Sequence, residues 1–124
     1  MRTKINEKGT QMEITQAMRD YLYKKLEHVE KFIDANDESA MFNVELGKTT
    51  NHHRAGEVYR CEINLHLKGR DLRAESEMDD LYAAIDIAKD EIVREIQSGK
   101  ERRISLARRG GAKLKNLVKG LFNK

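Results

Sequence analysis

The side chains best suited to chemistry in this sequence are cationic. Lys25, His28 and Lys31 recur at spacings of three and are expected to share one helix face, Arg94 lies far downstream, and Lys100, Arg102 and Arg103 follow it. Lys and Arg set along a polyanion neutralise phosphates and release counterions, which is the main source of nucleic-acid affinity. These residues are therefore the candidate RNA-binding set. Spacing alone does not separate that reading from an ordinary charged surface, because Glu27 and Glu30 are interleaved with them.

Other constellations carry less. Cys61 is the single cysteine, so no intrachain disulfide can form. It falls on the inward face of an alternating strand, whereas a reactive thiolate needs exposure and a positive neighbour, so a buried structural thiol is expected. His52-His53 is the one hint of a metal, but no second Cys or His cluster completes a ligand set. A solvated loop and no metal are expected there. Glu75, Glu77, Asp79 and Asp80 alternate on a strand face or cap a helix, without the pocket that splits a catalytic pair's pKa values. There is no glycine-rich phosphate loop, nucleophile elbow or HExxH motif. No catalytic residue and no cofactor is expected, and the chain reads as a binding protein rather than an enzyme.

The elements that must position the cations follow from periodicity. Residues 1–8 read as a strand with Met1, Thr3 and Ile5 on one face, and Gly9 as the turn after it. Thr15 is a candidate N-cap. The stripe Met18, Tyr21, Leu22, Leu26, Val29, Phe32 and Ile33 then predicts a helix ending near Asp34. Phe42, Val44 and Leu46 alternate with polar residues, residues 48–56 read as a hairpin loop, and Tyr59, Cys61, Ile63, Leu65 and Leu67 alternate again. Lys68-Gly69-Arg70 is a tight turn before Leu72, Ala74 and Ser76. Asp79 or Asp80 caps a second helix with the stripe Leu81, Ile85, Ala88, Ile92 and Ile96, and Gly99 is its expected stop. The order β-α-β-β-β-α predicts an α+β fold, a four-stranded, antiparallel-rich sheet with two helices packed on one face. Double-stranded-RNA-binding domains have a similar architecture.

Length and charge divide the chain. A sequence of 124 residues predicts one domain, here residues 1–99. That part carries a net charge of −5, whereas residues 100–124 carry +8. A basic tail on an acidic body points to a polyanionic partner. The tail is expected to be flexible through Gly110-Gly111, with a short amphipathic end formed by Leu114, Leu117, Val118, Leu121 and Phe122. No signal-like stretch opens the chain and no apolar run could cross a membrane, so a cytoplasmic location is expected and a membrane partner is not.

The residues also resemble a known family. Gln11-Met12-Glu13-Ile14-Thr15, followed by Ala17, Arg19 and Lys25-Leu26, look like the first-helix opening of the ribosome hibernation factors, the hibernation-promoting factor and ribosome-associated inhibitor A proteins. Asp80-Leu81-Tyr82-Ala83-Ala84-Ile85-Asp86 resembles their second-helix signature, and Leu65-His66-Leu67-Lys68-Gly69 fits a strand end of that family. The likeness covers roughly residues 1–103. It implies a protein lodged in the small-subunit channel between head and body, touching small-subunit rRNA. There it would compete with mRNA and tRNA, block translation and preserve the idle ribosome. It also implies Lys25, His28, Lys31 and Arg94 as the rRNA contacts carried over. The chain departs from the pattern at His28, often Lys in the family, at Glu91 where Lys is frequent, and at Gln16 where Pro follows the capping Thr. It resembles a short or tailed form without the long form's dimerisation domain, expected to be monomeric off the ribosome. Two other readings stay open: a general duplex RNA- or DNA-binding module, and a peripheral membrane or partner-helix binder using residues 114–122.

Overall fold

The computed structural model describes residues 1–49 and 56–99. They form β1 (Lys4–Thr10), α1 (Gln16–Glu30), β2 (Met41–Thr49), β3 (Val58–Leu67), β4 (Arg70–Met78) and α2, described over residues 81–99. The expected β-α-β-β-β-α order and four-stranded sheet are therefore present. The strands lie in the order β1-β2-β3-β4, with β1 and β4 at the edges. β2, β3 and β4 form an antiparallel meander, while β1 pairs parallel to β2. A parallel pair needs a crossover rather than a hairpin, and α1 supplies it.

Side-chain alternation selects one buried face. Register sets Phe42 against Leu65, Val44 against Ile63, Leu46 against Cys61, and Ile63 against Ala74. All of these are buried. α1 covers them with Leu22, Leu26, Val29 and, just beyond its end, Ile33; α2 covers them with Leu81, Ala84, Ile85, Ala88, Ile92 and Ile96. Each fully buried Leu, Ile or Phe contributes roughly 1.5–3 kcal/mol of transfer free energy. Both helices thus lie on one face of the sheet, in one core. They run side by side and parallel. Tyr21 near the start of α1 meets Tyr82 near the start of α2, while Phe32, Ile33 and Ile96 line one cavity at their far ends.

Local chemistry fixes the helix starts. Thr15 Oγ1 accepts from the Met18 N–H at 3.2 Å, and Asp80 Oδ1 accepts from the Tyr82 N–H at 3.3 Å. The second of these resolves the choice between Asp79 and Asp80 as cap. Gly69 has φ +79° in the two-residue connection between β3 and β4, a conformation that costs an L side chain strain.

Three boundaries differ from expectation. β1 begins at Lys4 and runs through Gly9 to Thr10, so Gly9 is a strand residue opposite Leu46 rather than a turn. The turn is made instead by Gln11 at φ 57°. Gly9 is required for another reason: a Cβ there would lie 2.6 Å from the Met12 carbonyl oxygen. α1 ends at Glu30, and the chain continues to Ile33 through i→i−3 bonds from Lys31, Phe32 and Ile33, the tighter winding common at helix ends. β2 extends into the expected 48–56 loop, to Thr49, whereas β3 begins at Val58, just outside it. α2 is helical through Gly99, the last described residue, so the expected stop there has its far side outside the described residues. His52-His53 and the whole of 100–124 lie outside the described residues.

The N-terminal segment is tied to the end of α1. The Thr3 N–H donates to Glu30 Oε2 at 2.8 Å, and Arg2 Nη2 donates to the Ile33 carbonyl at 3.1 Å. Burial alone would raise the Glu30 pKa, but the Thr3 hydrogen bond and the Arg2 charge outweigh it and hold the carboxyl below its ordinary value. A depressed carboxylate pKa adds stability above the unfolded-state pKa, and this is lost as pH falls through the lower folded value. Glu30→Gln should therefore lower the urea midpoint near neutral pH. The gap from wild type should close as pH drops below the ordinary glutamate range. Gly9→Ala should lower stability by about 1–3 kcal/mol in the same assay, because the added methyl must push back the Met12 carbonyl.

Candidate nucleic-acid interface

Burying one sheet face leaves two broad surfaces, the open face of the sheet and the outer face of the helix layer. Register places Glu62 directly opposite Glu75 on the open face, a like-charge pair that would be destabilising alone. Two arginines close it into a ring. Arg60 binds Glu62 at 2.7 Å and Glu75 at 3.0 Å; Arg73 binds Glu62 at 3.0 Å and Glu75 at 2.9 Å. The Glu75 hydrogen bond, with Glu62 behind it, raises the Arg60 pKa, and both carboxyls are held below their ordinary values. Around the ring, Asn6 donates to Asn43 at 3.1 Å, Thr10 to Glu45 at 2.6 Å and Asn64 to Glu62 at 3.1 Å. The arginines at the centre of this face are engaged by neighbouring acids, which makes that centre a poor polyanion surface; its exposed lysines, Lys4 and Lys8, lie on the β1 edge.

The helix layer differs. Lys24 and His28 are exposed on α1, Lys31 is exposed at its C-cap, and Arg94 is exposed on α2. Neither Lys31 nor Arg94 has a side-chain ion pair among the described residues, and the His28 ring packs edge-on against Phe32 at 5.6 Å. Lys25 does not stand with them. Its Nζ lies 3.2 Å from Asp86 Oδ1 and 5.1 Å from the centre of the Tyr21 ring. Steps of three fall short of a helical turn by about 60° each, so residues 25 and 31 drift about 120° apart around α1. Lys25 consequently sits in the seam against α2, while Lys31 faces outward. Lys100, Arg102 and Arg103 lie outside the described residues.

The seam is a polar cluster on an apolar floor. Tyr21 Oη donates to Asp86 Oδ1 at 2.8 Å, and the Tyr21 and Tyr82 rings meet edge to face at 5.0 Å and 85°. The Asp86 hydrogen bond raises the Tyr21 pKa, keeping its hydroxyl a donor, and it raises that of Lys25, keeping its ammonium charged. Lys89 was not singled out from the sequence. It lies three residues after Asp86 and seven after Tyr82, hence on the same side of α2. Its side chain is 17% exposed and its Nζ lies 3.0 Å from Asp90 Oδ1.

No group of three or more His, Cys, Asp or Glu side chains among the described residues is placed to hold a metal. Cys61 is fully buried as expected, and burial pushes its thiol up to about 12. A cavity of about 310 Å³ at the ends of α1 and α2 includes Asp37 and Lys68. Asp37 is committed to structure there, accepting from the Lys68 N–H at 2.9 Å and from Ser39. No described helix is long and apolar enough to cross a membrane.

The chain has relatives among known proteins. Residues 5–104 match the family model described as Sigma 54 modulation protein / S30EA ribosomal protein. The ribosome hibernation promoting factor of Pseudomonas putida is 31% identical over 113 residues, covering 88% of this chain and 98% of that one. That of Azotobacter vinelandii is 30% identical over 100 residues, covering 81% and 85%. Among solved structures, the N-terminal domain of Thermus thermophilus Protein Y matches with a TM-score of 0.60 at 30% identity, over 77% of this chain and 98% of that one.

The Tyr21–Asp86 bond crosses between helices, so it should contribute to docking them. Tyr21→Phe keeps the ring contact with Tyr82 and removes only the hydroxyl. It should lower stability by about 1 kcal/mol in urea denaturation, a modest value for a hydrogen bond to a partly solvated carboxylate.

Proposed function

Because the chain belongs to the Sigma 54 modulation protein / S30EA ribosomal protein family, we propose that it is a ribosome hibernation factor that binds the small ribosomal subunit. On this reading it contacts small-subunit rRNA in the mRNA and tRNA channel, inhibits translation by occupying that space, and preserves idle ribosomes. The observation that carries this is the extent of the family match, which takes in β1 through α2 rather than a single motif. The protein works in the cytoplasm and is a monomer off the ribosome.

The helix layer is the surface that suits the role. His28, Lys31 and Arg94 stand exposed on two parallel helices, with Lys25 in the seam between them. Residues 1–99 carry −5, so their cations act against an unfavourable background. Residues 100–124 carry +8 and continue directly from α2, with Lys100, Arg102 and Arg103 first. Division into a binding domain at 1–99 and a basic tail at 100–124 gives the two parts different tasks. The domain supplies fit, and the tail supplies most of the counterion release.

The test is co-sedimentation of the purified protein with ribosomes and separated subunits at moderate and high salt. Binding should be stoichiometric to small subunits and whole ribosomes, salt-sensitive, and competed by mRNA with tRNA. Comparable affinity for any duplex of similar length, without preference for ribosomes, would instead indicate a general nucleic-acid module. Removing residues 100–124 should weaken binding, and the dependence of log K on log salt should flatten by roughly 0.7–0.9 for each phosphate that the tail neutralises. An unchanged slope would exclude the tail from the interface.

A further inference from the structure

The Lys25–Asp86 pair is a poor device for a phosphate alone. The ammonium has a carboxylate 3.2 Å away, the pair is neutral, and the carboxylate repels an incoming anion. Asp86 is not required by the core either, since its side chain is 44% exposed. Its two oxygens are used unequally. Oδ1 takes both the Tyr21 hydroxyl and the Lys25 ammonium, whereas Oδ2 has no donor among the described residues. The seam therefore offers a cationic donor and an anionic acceptor side by side. Tyr21 fixes the orientation of both, and Tyr82 in turn packs against Tyr21.

A ligand that satisfies both must bring an acceptor and a donor at neighbouring positions. A phosphodiester brings acceptors only. In RNA the ribose next to it adds a 2′-hydroxyl, which can donate, and DNA lacks that group. We propose that Asp86 and Lys25 together read a ribonucleotide, Lys25 donating to a phosphate oxygen and Asp86 Oδ2 accepting from the adjacent 2′-hydroxyl. The seam then tests sugar identity, while Lys31 and Arg94 contribute charge. This rests on the helix layer being the RNA-facing surface, as proposed above.

The probe is one short RNA duplex made in two forms, all-ribose and 2′-fluoro. The fluoro form keeps A-form shape and phosphates but cannot donate at the 2′ position. Full-length wild type should bind the all-ribose form more tightly, by about tenfold, the scale of one hydrogen bond to a charged group. Asp86→Asn retains an oxygen for Tyr21 but removes the charge, and it should bring the two affinities together. Lys25→Gln should weaken both forms alike and preserve their ratio. Because each ratio is taken on one protein sample, partial unfolding cancels from it. Equal wild-type affinity for the two forms, no measurable affinity for either, or a ratio untouched by Asp86→Asn would overturn the inference. Ribosome co-sedimentation of wild type, run in parallel, reports separately on the hibernation reading.

Discussion

The inward row of Phe42, Val44, Leu46, Cys61, Ile63, Leu65 and Ala74 excludes water only if helices cover its whole width. One helix is about 10 Å across and four strands span more than that, so two helices must share the task. Sharing it in parallel brings the starts of α1 and α2 together, and the seam cluster of Tyr21, Lys25, Tyr82 and Asp86 follows from that packing. The surface available to a partner is in this sense a by-product of burying a single sheet face.

The same constraint sorts the charges. On the open sheet face, strand pairing holds side chains about 5 Å from their cross-strand neighbours, so acids and arginines meet and neutralise one another. On the helices, side chains diverge from a convex surface, and His28, Lys31 and Arg94 remain solvated. A polyanion finds paired arginines at the centre of the sheet face, with Lys4 and Lys8 at its edge, and Lys31 and Arg94 without ion pairs among the described residues on the helix side, although residues 1–99 are acidic overall.

Much of this was legible in the residues. A period of two announced β2, β3 and β4 with their inward faces, and stripes at three and four announced both helices, because burial on one side leaves that imprint in any sequence. Pairing direction was not legible for β1, whose parallel partner is set by the α1 crossover rather than by its own residues. Gly9 looked like a turn because glycine signals backbone freedom, yet its role here is to clear space for the Met12 carbonyl, a proximity that no local pattern records. The candidate site was legible in kind but not in arrangement. Spacings of three suggested that Lys25 stands with Lys31, but helical drift carries it into the seam, and its partner Asp86 lies on the other helix, far along the chain. Lys89 was findable only after Tyr82 and Asp86 had been placed against α1.

The strand order leaves β1 and β4 each with one hydrogen-bonding edge open among the described residues. Such edges invite a further strand from another molecule, the first step of uncontrolled self-association. β1 carries Lys4 and Lys8, and β4 carries Arg70, Asp71, Arg73, Glu75 and Glu77. A second copy adding its own β4 beside this one would set a charge at most positions and an apolar side chain at few. The edges are thereby kept from acting as templates, so copies can crowd together without zippering into extended sheets.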